Sequence, residues 1–508
     1  MIQECCHWAL KSLSHRKHEH FLKSLSDPEL AQKKVLNQIL KKYKTLYPKV
    51  ENLNDFKKKF SPSTYEDWKD GVLKQKSSGL ETVALEVEKY EPTSGSTQNV
   101  KWIPYTKSFL NELEYAYEPW LFDLYKKYPE INKGTHYWSL SWLPDNLRNQ
   151  SVDEADLFPF WKRLFLKNLM TLDSGISHLE SSQLAQKAAL LSLLSKKVSL
   201  ISIWSPTYLL SLIEMMMVSK DEIISSLQDK SFQKQLHIFS DKDCVDRSIQ
   251  ILKSINSFDS SVSKELFPEL KLISMWDTSL SNKWAQNVST MFAHAETQGK
   301  GLWATEGVVT IPFGDKYPLA INSHFYEFEN IETKKILSSW ELEKDMRVKP
   351  LLTSGSGLFR YALNDELRVS DYLEKTPCFE FIGRLRDVDI AGEKLAHAEI
   401  KNISKKLELE FNVRTISVFA HNISGKPRKY ELLLEGQYSD ALLAKVKNSF
   451  EQLLLEHFHY RLARELGQLK AAEVITRENG IKHYYEKVSK QIKISGNIKL
   501  EEVVVLNN

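Results

Sequence analysis

Glu91-Pro92-Thr93-Ser94-Gly95-Ser96-Thr97-Gln98-Asn99-Val100-Lys101 puts four hydroxyl side chains and one glycine into five consecutive positions, with a lysine close behind. Backbone N–H groups and hydroxyls in such a run can converge on phosphate oxygens, and Lys101 can add a point charge. The same composition also makes an ordinary turn, and no Gly-Lys-Ser/Thr ends it as in a Walker loop. Three later stretches carry chemistry of the same ambiguous kind. Thr305-Glu306 sets a hydroxyl beside a carboxylate after the short apolar run Gly301-Leu302-Trp303-Ala304. Asp365 interrupts two strand-like runs, where an aspartate can accept hydrogen bonds from a ribose diol or simply make a turn. Gly383-Arg384-Leu385-Arg386-Asp387 combines a glycine with dense charge between apolar segments.

The elements around these stretches alternate strand and helix. Thr82–Glu88 alternates apolar and polar and predicts a strand before the hydroxyl-rich run, and Ser108–Tyr128 predicts a helix after it. Leu30–Tyr47 reads as an earlier helix, within a mainly helical first eighty residues. Val198–Trp204 predicts a buried strand running into a helix over Thr207–Val218, with Ser205 as N-cap and Pro206 at its first position. Leu270–Trp276, Asn282–Phe292 and Gly301–Ala304 repeat the plan as strand, helix and short strand, which implies α/β layering. Ligands of open α/β sheets bind at the carboxyl ends of strands, where Thr305 and Glu306 fall. Strands and hairpins follow from Phe325, with a turn at Ser354–Gly357. Beyond the charged stretch lies a smaller α+β segment: strands at Thr415–Ala420, Lys429–Leu434 and Ala472–Thr476, and one long amphipathic helix over Ser439–Gly467.

A chain of 508 residues exceeds what one core organises, so at least two domains are expected. Hydrophobic content of 42% and charged content of 27% are those of a soluble globular protein, and a net charge of +3 gives no case for nucleic-acid binding. The four cysteines match no disulfide framework or zinc spacing, which points to a reducing compartment. The N-terminus has no signal-peptide core, and Pro206 and Glu214 interrupt the most apolar segment, so a cytoplasmic protein without a membrane span is expected.

Taken together, the ordered stretches resemble adenylate-forming enzymes, and more closely the plant auxin- and jasmonate-conjugating acyl-acid amido synthetase family with its bacterial members. The likeness rests on Glu91–Thr97 with Lys101-Trp102-Ile103-Pro104-Tyr105-Thr106, on Phe267-Pro268-Glu269-Leu270-Lys271-Leu272-Ile273-Ser274, on Gly301–Gly307, and on Gly357–Asp365. It implies a large N-terminal α/β adenylating domain with a β-barrel-like portion over residues 1–383. A smaller mobile α+β domain over 384–508 would turn about a hinge near 384–388, with Asp387 as pivot. It implies ATP, Mg²⁺ and a small-molecule carboxylic acid giving an acyl-adenylate, then attack by an amine, typically of an amino acid. Thr93, Ser94, Gly95, Ser96, Thr97 and Lys101 would hold the phosphates. Thr305 would act beside the acyl-phosphate, Glu306 would hold Mg²⁺, Asp365 the ribose, and Arg384 the nucleotide from the hinge side. Lys499, or less directly Lys426, would bring a C-terminal ammonium to the phosphates. The acid pocket is expected from Tyr137, Trp204, Tyr208, Phe325 and Tyr326. An acyl-CoA or carrier-protein ligase shares the first half-reaction, and a catalytically silent nucleotide-binding protein shares the fold; both readings stay open. The chain departs from the family pattern at Gln98 and Asn99 in the phosphate loop, at Leu302 with Trp303 one position later where an adenine-stacking aromatic is usual, and at Asn364 before the ribose-binding aspartate. The oligomeric state has no signature in the sequence, and a monomer is compatible with it.

Overall fold

The structure, a computed structural model, describes residues 2–92, 101–139, 169–173, 176, 179–278, 281–385, 387–391, 393, 395–423, 426–489 and 500–506. The described residues fall into two compact units. The first takes 2–92, 101–363 and 367–381; the second takes 364–366 and the described residues from 382 onward.

The first unit opens with four helices, α1 (Ile2–Ser24), α2 (Pro28–Lys42), α3 (Leu53–Lys59) and α4 (Tyr65–Ser78). Helix α2 starts where Asp27 accepts from the Leu30 N–H and Pro28 occupies the first turn. It ends at Lys42, short of the predicted Tyr47, and Tyr43 turns its hydroxyl to the Gly355 carbonyl. The strand predicted at Thr82–Glu88 forms later, as β1 (Val87–Pro92). The reason is one side chain: the Gln75 amide oxygen accepts the N–H groups of Thr82, Val83 and Ala84, and its NH₂ donates to the Ala84 carbonyl. Those backbone groups are thereby satisfied without a neighbouring strand. Strand β1 pairs antiparallel with β2 (Trp102–Thr106), with Pro92 opposite Trp102, so the two ends of the 93–101 stretch are neighbours. Helix α5 (Lys107–Lys127) follows at once, capped by the Thr106 hydroxyl.

Next comes a four-stranded parallel sheet in the order β3-β4-β5-β6, made of β3 (Thr135–Trp138), β4 (Val198–Ser202), β5 (Leu272–Met275) and β6 (Glu296–Gly299). Every residue of β4 and β5 is buried, as expected of a parallel sheet covered on both faces. The predicted helices after β4 and β5 are present as Pro206–Val218 and Ser281–Met291. Ser205 precedes the first of these, with its hydroxyl bonded to Thr207 Oγ1 at 2.6 Å instead of to a backbone N–H. Strand β6, with the polar sequence Glu-Thr-Gln-Gly, was not predicted; its pairing with β5 defines it. A two-stranded ribbon, β7 (Trp303–Ala304) and β8 (Gly307–Val308), leads to the second, antiparallel sheet.

That sheet runs β10-β9-β11-β13-β14, with β12 (Tyr361–Ala362) added on β11. Its strands are β9 (Phe325–Asn330), β10 (Ile336–Ser338), β11 (Arg347–Thr353), β13 (Asp365–Leu373) and β14 (Thr376–Arg384). Isolated bridges of Pro318 to Cys378 and of Thr310 to Leu319 extend it beyond β14. This is the portion expected to be barrel-like. The second unit is built on a mixed sheet in the order β19-β18-β17-β20, comprising β17 (Thr415–His421), β18 (Lys429–Glu435), β19 (Glu473–Arg477) and β20 (Val503–Leu506). The minor pair β15 (Asp387–Val388) and β16 (Leu395–Ala396) precedes it.

The single helix expected over Ser439–Gly467 is two, Asp440–Leu455 and Phe458–Glu465, with His457 extended between them. Val446, Phe450 and Leu454 point into the core at i,i+4 spacing, but the next core residue is Tyr460. At about 100° per residue, six positions after Leu454 would fall near the far side of an unbroken helix. The break resets the phase and brings the Tyr460 hydroxyl to Glu451 at 2.9 Å. Among the described residues, no helix is long and apolar enough to cross a membrane.

Candidate active site

Thr305 and Glu306 are the two central residues of the tight turn joining β7 to β8, where Ala304 pairs with Gly307. Gly307 has φ +152°, and a Cβ there would lie 2.7 Å from Leu352 Cδ2 and 2.8 Å from His324 Nε2, so the turn requires glycine at this position. Two tyrosines steady it: the Tyr105 hydroxyl on β2 donates to the Thr305 carbonyl at 3.1 Å, and the Tyr361 hydroxyl on β12 donates to Glu306 Oε1 at 3.2 Å. Tyr361 is itself held from below. Arg360 adopts φ +50°, unusual for a residue with a Cβ, and is fixed by two hydrogen bonds to buried Glu327, at 2.7 and 3.1 Å, and one to the Phe60 carbonyl.

Beneath the turn lies a buried network that the sequence did not reveal. Both Glu112 oxygens, on α5, accept the Gly355 N–H at 2.9 Å, and Glu112 Oε2 pairs with His324 Nδ1 at 2.8 Å. The Gly355 carbonyl accepts from Thr106 and Tyr43. Thr106 therefore caps α5 and ties the end of β2 to the Ser354–Gly357 loop with one hydroxyl. No local pattern predicts this, because Glu112 and Gly355 lie 243 residues apart.

Lys101 begins the run into β2, its ammonium 5.6 Å from the centre of the Tyr65 ring, while the Tyr65 hydroxyl accepts the Trp102 N–H. Thr93, Ser94, Gly95, Ser96 and Thr97, with Gln98 and Asn99, lie outside the described residues, as does Lys499. In the second unit, Arg384 Nε lies 3.7 Å from Asp365 Oδ1 and its Nη1 2.5 Å from Glu501 Oε1, so two residues named from the family likeness are neighbours. The Leu385 N–H bonds the Asn364 carbonyl beside them. The Asp387 backbone pairs with Ala396, and the Lys426 N–H bonds the Ile423 carbonyl.

The expected acid-pocket residues separate into two groups. Tyr137, on β3, is fully buried and donates to the Tyr208 hydroxyl at 3.2 Å; burial raises the pKa of both phenols. Phe325 instead packs in a core cluster with Phe56 and Phe359. Tyr326 donates to the Val308 carbonyl, and its own N–H is taken by Gln32. Both are buried on β9, inside the antiparallel sheet.

Trp204 belongs to a chain of five tryptophans at the carboxyl ends of the parallel strands. Ring centres lie 5.7 Å apart for Trp138–Trp120, 5.8 Å for Trp120–Trp303, 6.2 Å for Trp303–Trp204 and 5.4 Å for Trp204–Trp276. Trp303 is thus occupied with other tryptophans. Inside this group sits Lys300, immediately after β6, which no local sequence pattern marks. Its ammonium lies 5.0, 5.4 and 6.0 Å from the Trp204, Trp120 and Trp138 rings and donates to Ser202 Oγ at 2.7 Å. Burial lowers its pKa from 10.5 to about 7. Next to it, Asp277 and the Tyr317 hydroxyl close over Gly299, where a Cβ would meet both at 2.4 Å; burial raises the Asp277 pKa. A lysine between two glycines at a strand end was the only cue.

Residues 17–297 match the GH3 family N-terminal domain, and residues 317–384 match the GH3 family central domain. The chain belongs to the GH3 family. Two solved structures are alike over nearly the whole length. A GH3.15 acyl acid amido synthetase gives a TM-score of 0.73 at 15% identity, covering 95% of this chain and 92% of the other. The AtGH3.15 acyl acid amido synthetase in complex with 2,4-DB gives 0.78 at 16% identity, covering 96% and 93%. At such identities the likeness establishes the fold. No curated protein matches the sequence. Within this GH3 chain the Thr305–Glu306 turn and Lys300 fall between the two matched segments, whereas Lys101, Asp365 and Arg384 fall inside them.

Proposed function

We propose that this GH3 protein is an acyl-acid amido synthetase. The carboxylate of a small-molecule acid attacks the α-phosphorus of ATP, forming acyl-AMP and releasing pyrophosphate. An amine, expected to be that of an amino acid, then attacks the acyl carbon, forming the amide and releasing AMP. Family membership and a fold shared with acyl acid amido synthetases support the reading. The observation that carries it is the Thr305–Glu306 turn, which presents a hydroxyl and a tyrosine-steadied carboxylate.

In this reading Thr93–Thr97 and Lys101 bind the phosphates, and Thr305 hydrogen-bonds beside the acyl-phosphate. Asp365 accepts from the ribose hydroxyls, Arg384 reaches the nucleotide, and Lys499 supplies a charge from the C-terminal side. Among the described residues no cluster of three or more metal-ligating side chains occurs. That donor set suits Mg²⁺, which is commonly held by one or two carboxylates plus substrate phosphates, and Glu306 supplies such an oxygen. When bound, the ion would neutralise triphosphate charge. Tyr137, Trp204 and Tyr208 belong to the acid pocket. Residues 1–383 form the adenylating domain and 384–508 the mobile one, hinged near 384–388. The free thiols of Cys5, Cys6, Cys244 and Cys378 are compatible with a cytoplasmic location.

Acid-dependent ATP–pyrophosphate exchange over a panel of carboxylic acids, with hydroxylamine as trap, tests the first half-reaction. Supplying amines, CoA or carrier protein afterwards identifies the acceptor. Glu306→Ala should lower exchange by more than about 100-fold, because it removes a metal ligand outright; near-normal exchange would sink the assignment.

A further inference from the structure

The tryptophan group stands on a row of residues that run in register across the whole parallel sheet. Trp138 on β3 is opposite Ser202 on β4, Ser202 is opposite Ser274 on β5, and Ser274 is opposite Gln298 on β6. In-register residues of neighbouring strands share a face. At the end of this row Lys300 rises from β6 and is only 6% exposed. Among the described residues no carboxylate pairs with it, and its one hydrogen bond is to Ser202. The same row carries polar atoms that are buried without a partner: Ser274 Oγ, and Gln298 Nε2, whose Oε1 is already taken by the Trp120 indole at 2.9 Å. The Trp303 indole nitrogen beside them is buried and unpartnered as well. Ser274 is 0% and Gln298 9% exposed, so bulk water does not satisfy these groups.

An ammonium moved into such surroundings loses several kcal/mol of hydration. One neutral hydrogen bond and three ring faces, each worth about 0.5–2 kcal/mol, return only part of it. What the group lacks is an anionic acceptor that several donors can share. Lys300 and the turn assigned to the reacting carboxyl have separate partners. Thr305 and Glu306 are held by Tyr105 and Tyr361, whereas Lys300 is held by Ser202 and the tryptophans. Five residues of chain keep Lys300 and Thr305 within about 18 Å, Cα to Cα.

We propose that Lys300, with Ser202, Ser274 and Gln298, binds a second anionic oxygen of the acyl substrate, distal to the carboxyl that is adenylated. The enzyme therefore selects acids with an apolar or flat body and a far-end carboxylate or equivalent oxyanion. The tryptophans contact the body, and Lys300 determines specificity. This inference rests on the adenylation reading.

Matched acids test it: octanoate against octanedioate, and 4-methylbenzoate against terephthalate, compared by kcat/KM in pyrophosphate exchange. The wild type should favour the dicarboxylate by roughly 30-fold or more, the order expected for a buried charge pair. Lys300→Met, checked for folding by its melting curve, should reverse the preference, and Lys300→Arg should keep its sign. Equal use of both acids by the wild type, or an unaltered ratio in Lys300→Met, overturns the inference and leaves adenylation standing. If no acid supports exchange, the adenylation reading fails instead. Octanedioate alone then decides: a rise in melting temperature in the wild type, lost in Lys300→Met, upholds the anion site, and no rise removes it.

Discussion

Replacing Lys300 with methionine should raise the stability of the ligand-free protein. Burial holds the Lys300 ammonium at a pKa of about 7 instead of 10.5, whereas in the unfolded chain it regains its ordinary value. Between those two values the unfolded chain binds more protons than the folded one, so stability rises with pH across the window. Below about pH 7 both states are protonated and the whole burial penalty is felt, on the order of 5 kcal/mol at 1.36 kcal/mol per pKa unit. The three tryptophan faces offset about 1–2 kcal/mol of this. Methionine has a similar length and no charge, but it leaves Ser202 Oγ without its donor, at about 1 kcal/mol. The net expectation is a gain of about 1–3 kcal/mol at pH 7, shrinking as the pH approaches 10 and the lysine becomes neutral. Urea unfolding followed by tryptophan fluorescence, run on both proteins from about pH 6 to about pH 9.5, measures it. A loss of stability at pH 7 that does not vary with pH would refute the reasoning, because it would mean that the ammonium has an internal counter-ion.

Glu112→Ala should cost about 3–5 kcal/mol, since it strands the Gly355 N–H and the buried His324 ring; an unchanged melting temperature would contradict the network. Asp387→Pro fixes the backbone φ in the short β15–β16 pair at the proposed hinge, and should impair amide formation more than pyrophosphate exchange. Equal loss of both half-reactions would count against a pivot there.

Several elements were legible because their signals are local. The apolar run Val198–Trp204, the Pro206 helix start, the strand over Leu270–Trp276 and the early helix from Leu30 each follow from periodicity or capping within about a dozen residues. The order of the hydroxyl-rich run, Thr305-Glu306, Asp365 and Arg384 was likewise readable, and it led to the family. Other features were settled by partners far along the chain. Gln75 took up the backbone of Thr82–Ala84 and delayed β1. The need to turn Tyr460 inward divided one amphipathic pattern into two helices. Polar Glu296–Gly299 became a strand only because β5 offered it a ladder. Lys300 shows the division most sharply. Its sequence context says only that a lysine lies between two glycines, and a lysine in a loop is ordinarily solvated. Four strands, α5 and the tryptophans they carry remove that solvent, and desolvation depends on everything packed around a group, not on its neighbours in sequence. The sequence by itself thus determined the family, while the tertiary structure alone decided which charged side chain stands buried without a carboxylate partner among the described residues.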